Sequence, residues 1–301
     1  MSNNDHSQFR AKLLQLSKIV EEALIGYVDE WQIEGETVRE AMKYSIKAGG
    51  KRIRPVLMLA VAKMCDKPYS LVLPYACALE LIHTFSLIHD DLPCMDDDDL
   101  RRGMPTSHKV YGEGIAVLTG DAMLNMAFEI ILQEAEKNIG SLKHIKASRI
   151  IAKSAGISGM ISGQVLDVEA EGREISFQEL KKIHSLKTGA LLSAPIMAAA
   201  ELCEINDQEK KALSIFSTNL GLTFQIVDDL LDVIGDQSKL GKTVGSDNAK
   251  SKSTFVKIVG IDESREIVNS LTQESLEQLK TIKGNIWFLE ELSEFLAKRE
   301  Q

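Results

Sequence analysis

Apolar residues recur every three or four positions along almost the whole of this 301-residue chain, and that period dictates helices. Leu13, Leu16, Val20, Ala23 and Leu24 define one helix face near the N-terminus. Equivalent stripes run through 53–65, 71–92, 115–136, 147–170, 190–202, 210–233, 264–279 and 286–297. Alternating apolar and polar runs of strand type are scarce, and no hairpin signal stands out. Pro55, after Gly49 and Gly50, suits the first turn of a new helix. Pro93 stops the helix that carries Asp90 and Asp91, because the residue before proline is pushed out of the α region. No long linker or repeat divides the chain. The expectation is an all-α fold with residues 1–301 as a single domain.

Charge then narrows the function. The chain has 35 Lys+Arg against 44 Asp+Glu, a formal charge of −9, and so lacks the basic footprint of a general nucleic-acid binder. The longest charge-free stretch, 212–227, is 16 residues, short of the ~20 apolar residues of a membrane span. The N-terminus lacks the basic and apolar regions of a signal peptide. Cys65, Cys77, Cys94 and Cys203 are widely spaced and read as reduced thiols, which points to the cytoplasm.

The excess acids are concentrated. Asp90, Asp91 and Asp96 to Asp99 place six aspartates within ten residues, directly after the apolar helix that includes 79–88. Carboxylates at a helix C-terminus oppose the dipole there and repel one another, so something positive must compensate. Hard divalent cations suit carboxylate oxygens, and Arg101 and Arg102 match diphosphate oxygens in a two-pronged fashion. Taken alone, the run is about equally well read as a solvated acidic loop. A second group, Asp228, Asp229 and Asp232, sits in a helix that is apolar on most sides. Asp228 and Asp232, four apart, share one face. Together the two groups have the form of opposing walls of a multi-Mg²⁺ site. Removing Asp90, Asp91, Asp96–Asp99, Asp228, Asp229, Asp232 and Asp236 leaves 34 acids against 35 bases. A third group is basic: Lys51, Arg52 and Arg54 follow two glycines and open a helix, where backbone N–H groups and cations together attract anions.

These segments, with Gly120-Asp121, Gly163-Gln164, Asp167, Lys187-Thr188-Gly189, Phe224-Gln225, Gly241-Lys242 and Lys252-Ser253-Thr254, run in one order from residue 49 to 254. The ordered set resembles the trans-isoprenyl diphosphate synthases, in particular the bacterial form of the farnesyl diphosphate synthase group. That form places four residues, here 92–95, between the first aspartate pair and the third aspartate. The resemblance implies a bundle of long helices around a central cavity, a homodimer, and head-to-tail condensation of an allylic diphosphate with isopentenyl diphosphate. It further implies three Mg²⁺ ions per active site, with Asp90, Asp96 and Asp228 as direct ligands and Asp91, Asp229 and Asp232 acting through water or behind them. Asp90, Asp91, Asp96, Arg101, Lys187 and Asp228 become the catalytic set. Arg101, Lys187, Thr188, Gln225, Lys242 and Lys252 are implied on the substrate, the first five at the allylic diphosphate. Lys51, Arg54, His83 and Arg102 are implied at isopentenyl diphosphate.

Several finer readings complete the expectation. Phe85 and Ser86 are the implied chain-length positions, and an aromatic five residues before Asp90 favours a C15 product, farnesyl diphosphate. Helix geometry puts Phe85 140° around from Asp90, so its direction stays open. Gln164 and Asp167 either orient Lys187 or a metal-bound water, or equally make a structural hydrogen bond. His89, His108 and His184 read as structural or solvent-facing, and Lys298-Arg299 as either a closing tail or a frayed one. Residues 235–243 resemble a Walker A loop but fail on spacing and follow a helix where that motif needs a strand. The rivals are a geranylgeranyl or geranyl diphosphate synthase, a terpene cyclase, and a non-catalytic prenyl synthase subunit.

Overall fold

A computed structural model describes residues 3–31, 34–234 and 253–299. Lys242, Lys252, Asp236 and the glycine-rich segment 235–245 lie outside the described residues. The chain is all-α, as its periodicity requires, and it divides into two compact units, 1–59 with 68–148 and 60–67 with 149–301.

In the first unit, α1 (Asn3–Glu30) and α2 (Glu36–Lys47) precede α3 (Ile53–Met64), whose opening turns belong here. α4 (Leu73–Asp90) is its central element, buried at twelve positions and packed along α6 (Glu113–Lys137). Gly120 permits that packing, because a β-carbon there would strike the imidazole of His89 on α4. α6 is long and apolar enough to cross a membrane. It nonetheless buries Ala116, Thr119, Met123, Ala127 and Ile130, as a core helix does. A short α5 (Ser107–Tyr111) precedes it, and α7 (Leu142–Ala155) follows.

No hairpin signal stands out in the sequence, yet the acidic segment ends in a small hairpin. β1 (Leu100–Arg101) pairs antiparallel with β2 (Met104–Pro105). The connection is Arg102-Gly103, at φ 55° and 78°, the positive values that a two-residue turn of the primed type needs. Strands of two residues are too short to show alternation, which is why the pattern concealed them.

The second unit contains α8 (Met160–Ala170), α9 (Phe177–His184), a π-helical turn (Ser185–Gly189), α10 (Ala190–Leu202) and α11 (Asp207–Ile234). Three further helices follow, Phe255–Val259, Ile261–Leu279 and Trp287–Ala297. The apolar stripe at 147–170 is not one helix: it breaks between Ala155 and Met160, around Gly156 and Gly159. α9 carries the sequence signature Ser-x-x-Glu as a formed capping box, Ser176 with Glu179. The apolar face of α11 (Ile226, Val227, Leu230, Leu231) forms a cluster with Leu180, Phe255 and Val268. That packing fixes the helix from which Asp228, Asp229 and Asp232 project.

Candidate active site

In the first unit the site is built on α4. Within a helix that is otherwise closed, His83, Ser86, Leu87, His89 and Asp90 retain partial exposure. His83 and Asp90, seven residues apart, lie on one open stripe. Ser86 borders it and donates its hydroxyl to the His83 carbonyl at 2.9 Å. Phe85 turns away, 8% exposed, with its ring edge-on to His89 at 5.5 Å between centroids.

The four residues between the aspartates have a structural purpose. Leu92 is buried and accepts backbone hydrogen bonds from Met95 at 2.9 Å and Asp97 at 3.1 Å, which closes a tight turn. The chain thereby doubles back, and the Asp96 N–H donates to the Asp90 carbonyl at 2.8 Å. The Asp90 and Asp96 main chains thus meet at the end of the stripe, and both residues are half-buried. Asp91 instead points inward, 3% exposed. The Arg101 Nε donates to it at 3.0 Å, and Arg101 Nη2 bonds both Asp91 and, at 3.2 Å, Asp98. Burial pushes the Asp91 carboxyl up despite Arg101. For Arg101 burial works against the charge, but the bond to Asp91 and the nearby Asp98 and Asp90 prevail and raise its pKa. Thr106 closes the segment, its hydroxyl donating to the Asp98 carbonyl at 2.8 Å.

The basic group adjoins the same helix. Gly49 and Gly50 have φ of 83° and 128°. A β-carbon on Gly50 would stand 2.5 Å from the guanidinium carbon of Arg102, so that side chain lies flat on the glycine. Lys51 is exposed, Arg54 partly so, and burial pushes Arg54 down to about 10. Burial, then Arg54 and Arg102, holds His83 far below the usual histidine range, so it is neutral and offers one N–H rather than a charge. The sequence reading counted Arg52 among the cations but passed over Glu80, and the two form a buried pair at 2.7 Å in the middle of these cations. The signal was present in Glu80 itself, an acid inside an apolar helix three residues before His83.

In the second unit the Lys187-Thr188-Gly189 turn is seated between two glycines. A β-carbon on Gly163 would lie 2.5 Å from Lys187 Cα, and one on Gly221 would lie 2.9 Å from Gly189 Cα. Lys187 Nζ donates to Asp167 Oδ2 at 2.6 Å. The Thr188 hydroxyl donates to Gln225 Oε1 at 3.1 Å, and Gln225 Nε2 donates to Asp229 Oδ1 at 3.1 Å. Asp229 also accepts the Phe255 N–H at 2.8 Å, anchoring the chain where it returns after residue 252. Asp232 is buried as well, which leaves Asp228 as the half-buried member of the three. His184 is half-buried, stacked on Phe255, and pushed down to about 4 chiefly by desolvation. The tail is docked rather than frayed: Arg299 Nη2 donates to Asp228 Oδ1 at 3.0 Å and to the Phe224 carbonyl at 2.9 Å. Its guanidinium rests 3.9 Å from the Phe224 ring centroid.

Among the described residues no three His, Cys, Asp or Glu side chains gather as a ready-made metal cage. The donors do fit Mg²⁺, which keeps several waters and binds through one or two carboxylates plus substrate phosphates. Asp90 and Asp96 form such a pair, and Asp228 is a half-buried oxygen donor.

Residues 35–286 match the family model described as polyprenyl synthetase. The chain is 38% identical over 288 residues to a farnesyl diphosphate synthase of Bacillus subtilis, covering 96% of this chain and 97% of that protein. It is 43% identical over 279 residues to a chloroplastic geranylgeranyl pyrophosphate synthase of Catharanthus roseus, covering 92% of this chain and 77% of that one. Its fold is similar, with a TM-score of 0.78 and 32% identity, to a geranyltransferase from Helicobacter pylori complexed with magnesium and isoprenyl diphosphate. That alignment covers 98% of this chain and 97% of the other.

Proposed function

This chain belongs to the polyprenyl synthetase family and is a prenyltransferase of isoprenoid biosynthesis; from that premise we propose that it makes farnesyl diphosphate. The substrates are isopentenyl diphosphate and an allylic partner, dimethylallyl or geranyl diphosphate. The observation that carries the reading is the pairing of an acid group with a separate arginine-rich group on one helix of the first unit. Asp90 ends α4 and Asp96 follows in the loop, while neutral His83 lies on α4 two turns earlier with Arg54 and Arg102 near it. A condensing enzyme needs two such subsites, one for the diphosphate that leaves and one for the diphosphate that stays.

Asp90, Asp96 and Asp228 hold Mg²⁺ in this reading, three ions per site. The metal supplies Lewis-acid stabilisation of the negative charge that develops on the departing diphosphate. Arg101, Lys187, Thr188, Gln225 and Lys242 donate to the same group, where donors are worth most if water is excluded, and Lys252 contacts the substrate. Lys51, Arg54, His83 and Arg102 hold the diphosphate of isopentenyl diphosphate, whose double bond attacks the allylic cation left once the C–O bond has broken. The proton then lost goes to the departed diphosphate, since no side chain is assigned as its base.

The family match crosses both compact units, which supports residues 1–301 acting as one catalytic domain. Exposed Val117, Leu118 and Leu132 on α6, with Leu142 and Ile145 on α7, supply an apolar face suited to a homodimer. A cytoplasmic location goes with these substrates and with four free cysteines. Phe85, a buried ring about a turn and a half before Asp90, supports the C15 length. The Catharanthus relative favours a second reading, a C20 product. Incubation with isopentenyl diphosphate, each allylic starter and Mg²⁺, then chromatography of the dephosphorylated products, decides between them. C15 alcohol as the main product supports the proposal, and C20 alcohol replaces it with the second reading.

A further inference from the structure

Arg52 is an anomaly in its own turn. It is 3% exposed and sits at φ 49°, a left-handed conformation that is unfavourable for an ordinary L-residue. Such a residue persists only where its surroundings over-determine it. Here they do. Arg52 Nη1 donates to Glu80 Oε1 at 2.7 Å, Nη2 bonds the Ile46 carbonyl, and Glu21 stands 4.0 Å away.

Glu80 is the stranger partner. It lies in the closed part of α4, 2% exposed, and its second oxygen has no hydrogen-bond partner among the described residues. A carboxylate so placed is costly unless paired. The pair does not stand alone, because Arg54 and Arg102 both lie within reach of the Glu80 charge. Arg102 rests on Gly50, two residues before Arg52, and the arginines depress His83 one turn beyond Glu80. Three guanidinium groups thus stand together around one buried acid before any anion arrives.

We propose that Glu80 is a positioning residue for isopentenyl diphosphate, which it does not touch. Acting through Arg52, it locks the Gly49–Arg54 turn, and its charge lets Arg54 and Arg102 stand close enough to grip one diphosphate. This inference rests on the functional reading above and deepens it. It also opposes simple charge arithmetic. Removing an acid near a diphosphate tightens binding if only Coulomb attraction counts. Loss of the lock instead weakens binding, because the cations are no longer held in place.

The test titrates isopentenyl diphosphate alone into the whole protein by calorimetry, where no turnover occurs. Steady-state KM values for both substrates accompany it. In Glu80→Gln the dissociation constant for isopentenyl diphosphate is expected to rise about tenfold or more, while the allylic KM stays within about twofold. A second variant, Arg52→Met with Glu80→Met, removes the pair but fills its space, a change that buried ion pairs often tolerate without loss of stability. It is expected to melt at or above the unaltered protein and still bind isopentenyl diphosphate weakly. Unaltered affinity in a folded double variant overturns the proposal, as do tighter binding in Glu80→Gln and an equal loss for both substrates. Failure of both variants to fold also overturns it, assigning the pair to stability alone. No binding by the unaltered protein refutes the functional reading itself.

Discussion

Replacing Gly163 by alanine tests how the Lys187 turn is held. The added methyl lies 2.5 Å from Lys187 Cα, against an ordinary contact that begins at 3.4 Å. α8 or the Ser185–Gly189 turn must therefore yield by at least 0.9 Å, and the obstacle is backbone, not a side chain that can swing aside. Two terms compete. Alanine favours a helix over glycine by about 1 kcal/mol. Overpacking a closed site costs about 1–3 kcal/mol. Stability is therefore expected to change little, by up to about 2 kcal/mol of loss. Activity is the sensitive quantity, because in the proposed function the displaced residue is the one that presents its ammonium group to the allylic diphosphate. A misplacement near 1 Å costs about 10²-fold in rate. The assay pairs thermal melting with kcat for condensation. The expected result is a protein that melts within about 10 °C of the unaltered one and turns over about 100-fold more slowly. Unchanged kcat in a folded Gly163→Ala protein refutes the reasoning that this close approach sets Lys187.

Other outcomes follow from the same structure. Phe85→Ala is expected to shift the products to longer prenyl chains, read by chromatography, and an unchanged spectrum removes the argument for C15. His184 is neutral when folded and takes up a proton on unfolding between its ordinary pKa near 6.5 and its folded value of about 4. More protons bind to the unfolded chain in that window, so this contribution to stability is complete above about 6.5 and declines as pH falls towards 4. It amounts to about 3 kcal/mol, and denaturant titrations at pH 7 and pH 4.5 are expected to differ less in His184→Gln. Ser176→Ala removes the α9 capping box and is expected to cost about 1 kcal/mol in the same titration.

The helices were legible where an apolar stripe met a buried surface, as in α4 and α11. They were less so where a short amphipathic stretch relied on its ends: α9 is eight residues long, and its capping box was the better signal. The candidate site divides the same way. Residue type and spacing singled out the two aspartate groups, because carboxylates in or after apolar helices demand a counter-charge, and the family resemblance proposed Asp90, Asp96 and Asp228 within them. What spacing does not convey is which of several neighbouring acids turns inward. Asp91 and Asp229 are consumed by Arg101, Gln225 and the Phe255 amide, and only the folded loop decides that. The Arg52–Glu80 pair bridges 28 positions and depends on a left-handed residue, so no local pattern announces it.

The central claim is that two separate acid groups serve one ionisation. Its most direct measurement is release of diphosphate from geranyl diphosphate plus isopentenyl diphosphate, with and without Mg²⁺, in the unaltered protein, Asp90→Ala and Asp228→Ala. The expected result is Mg²⁺-dependent release by the unaltered protein and a fall of at least about 10³-fold in each variant. Undiminished Mg²⁺-dependent release in either folded variant would contradict the claim.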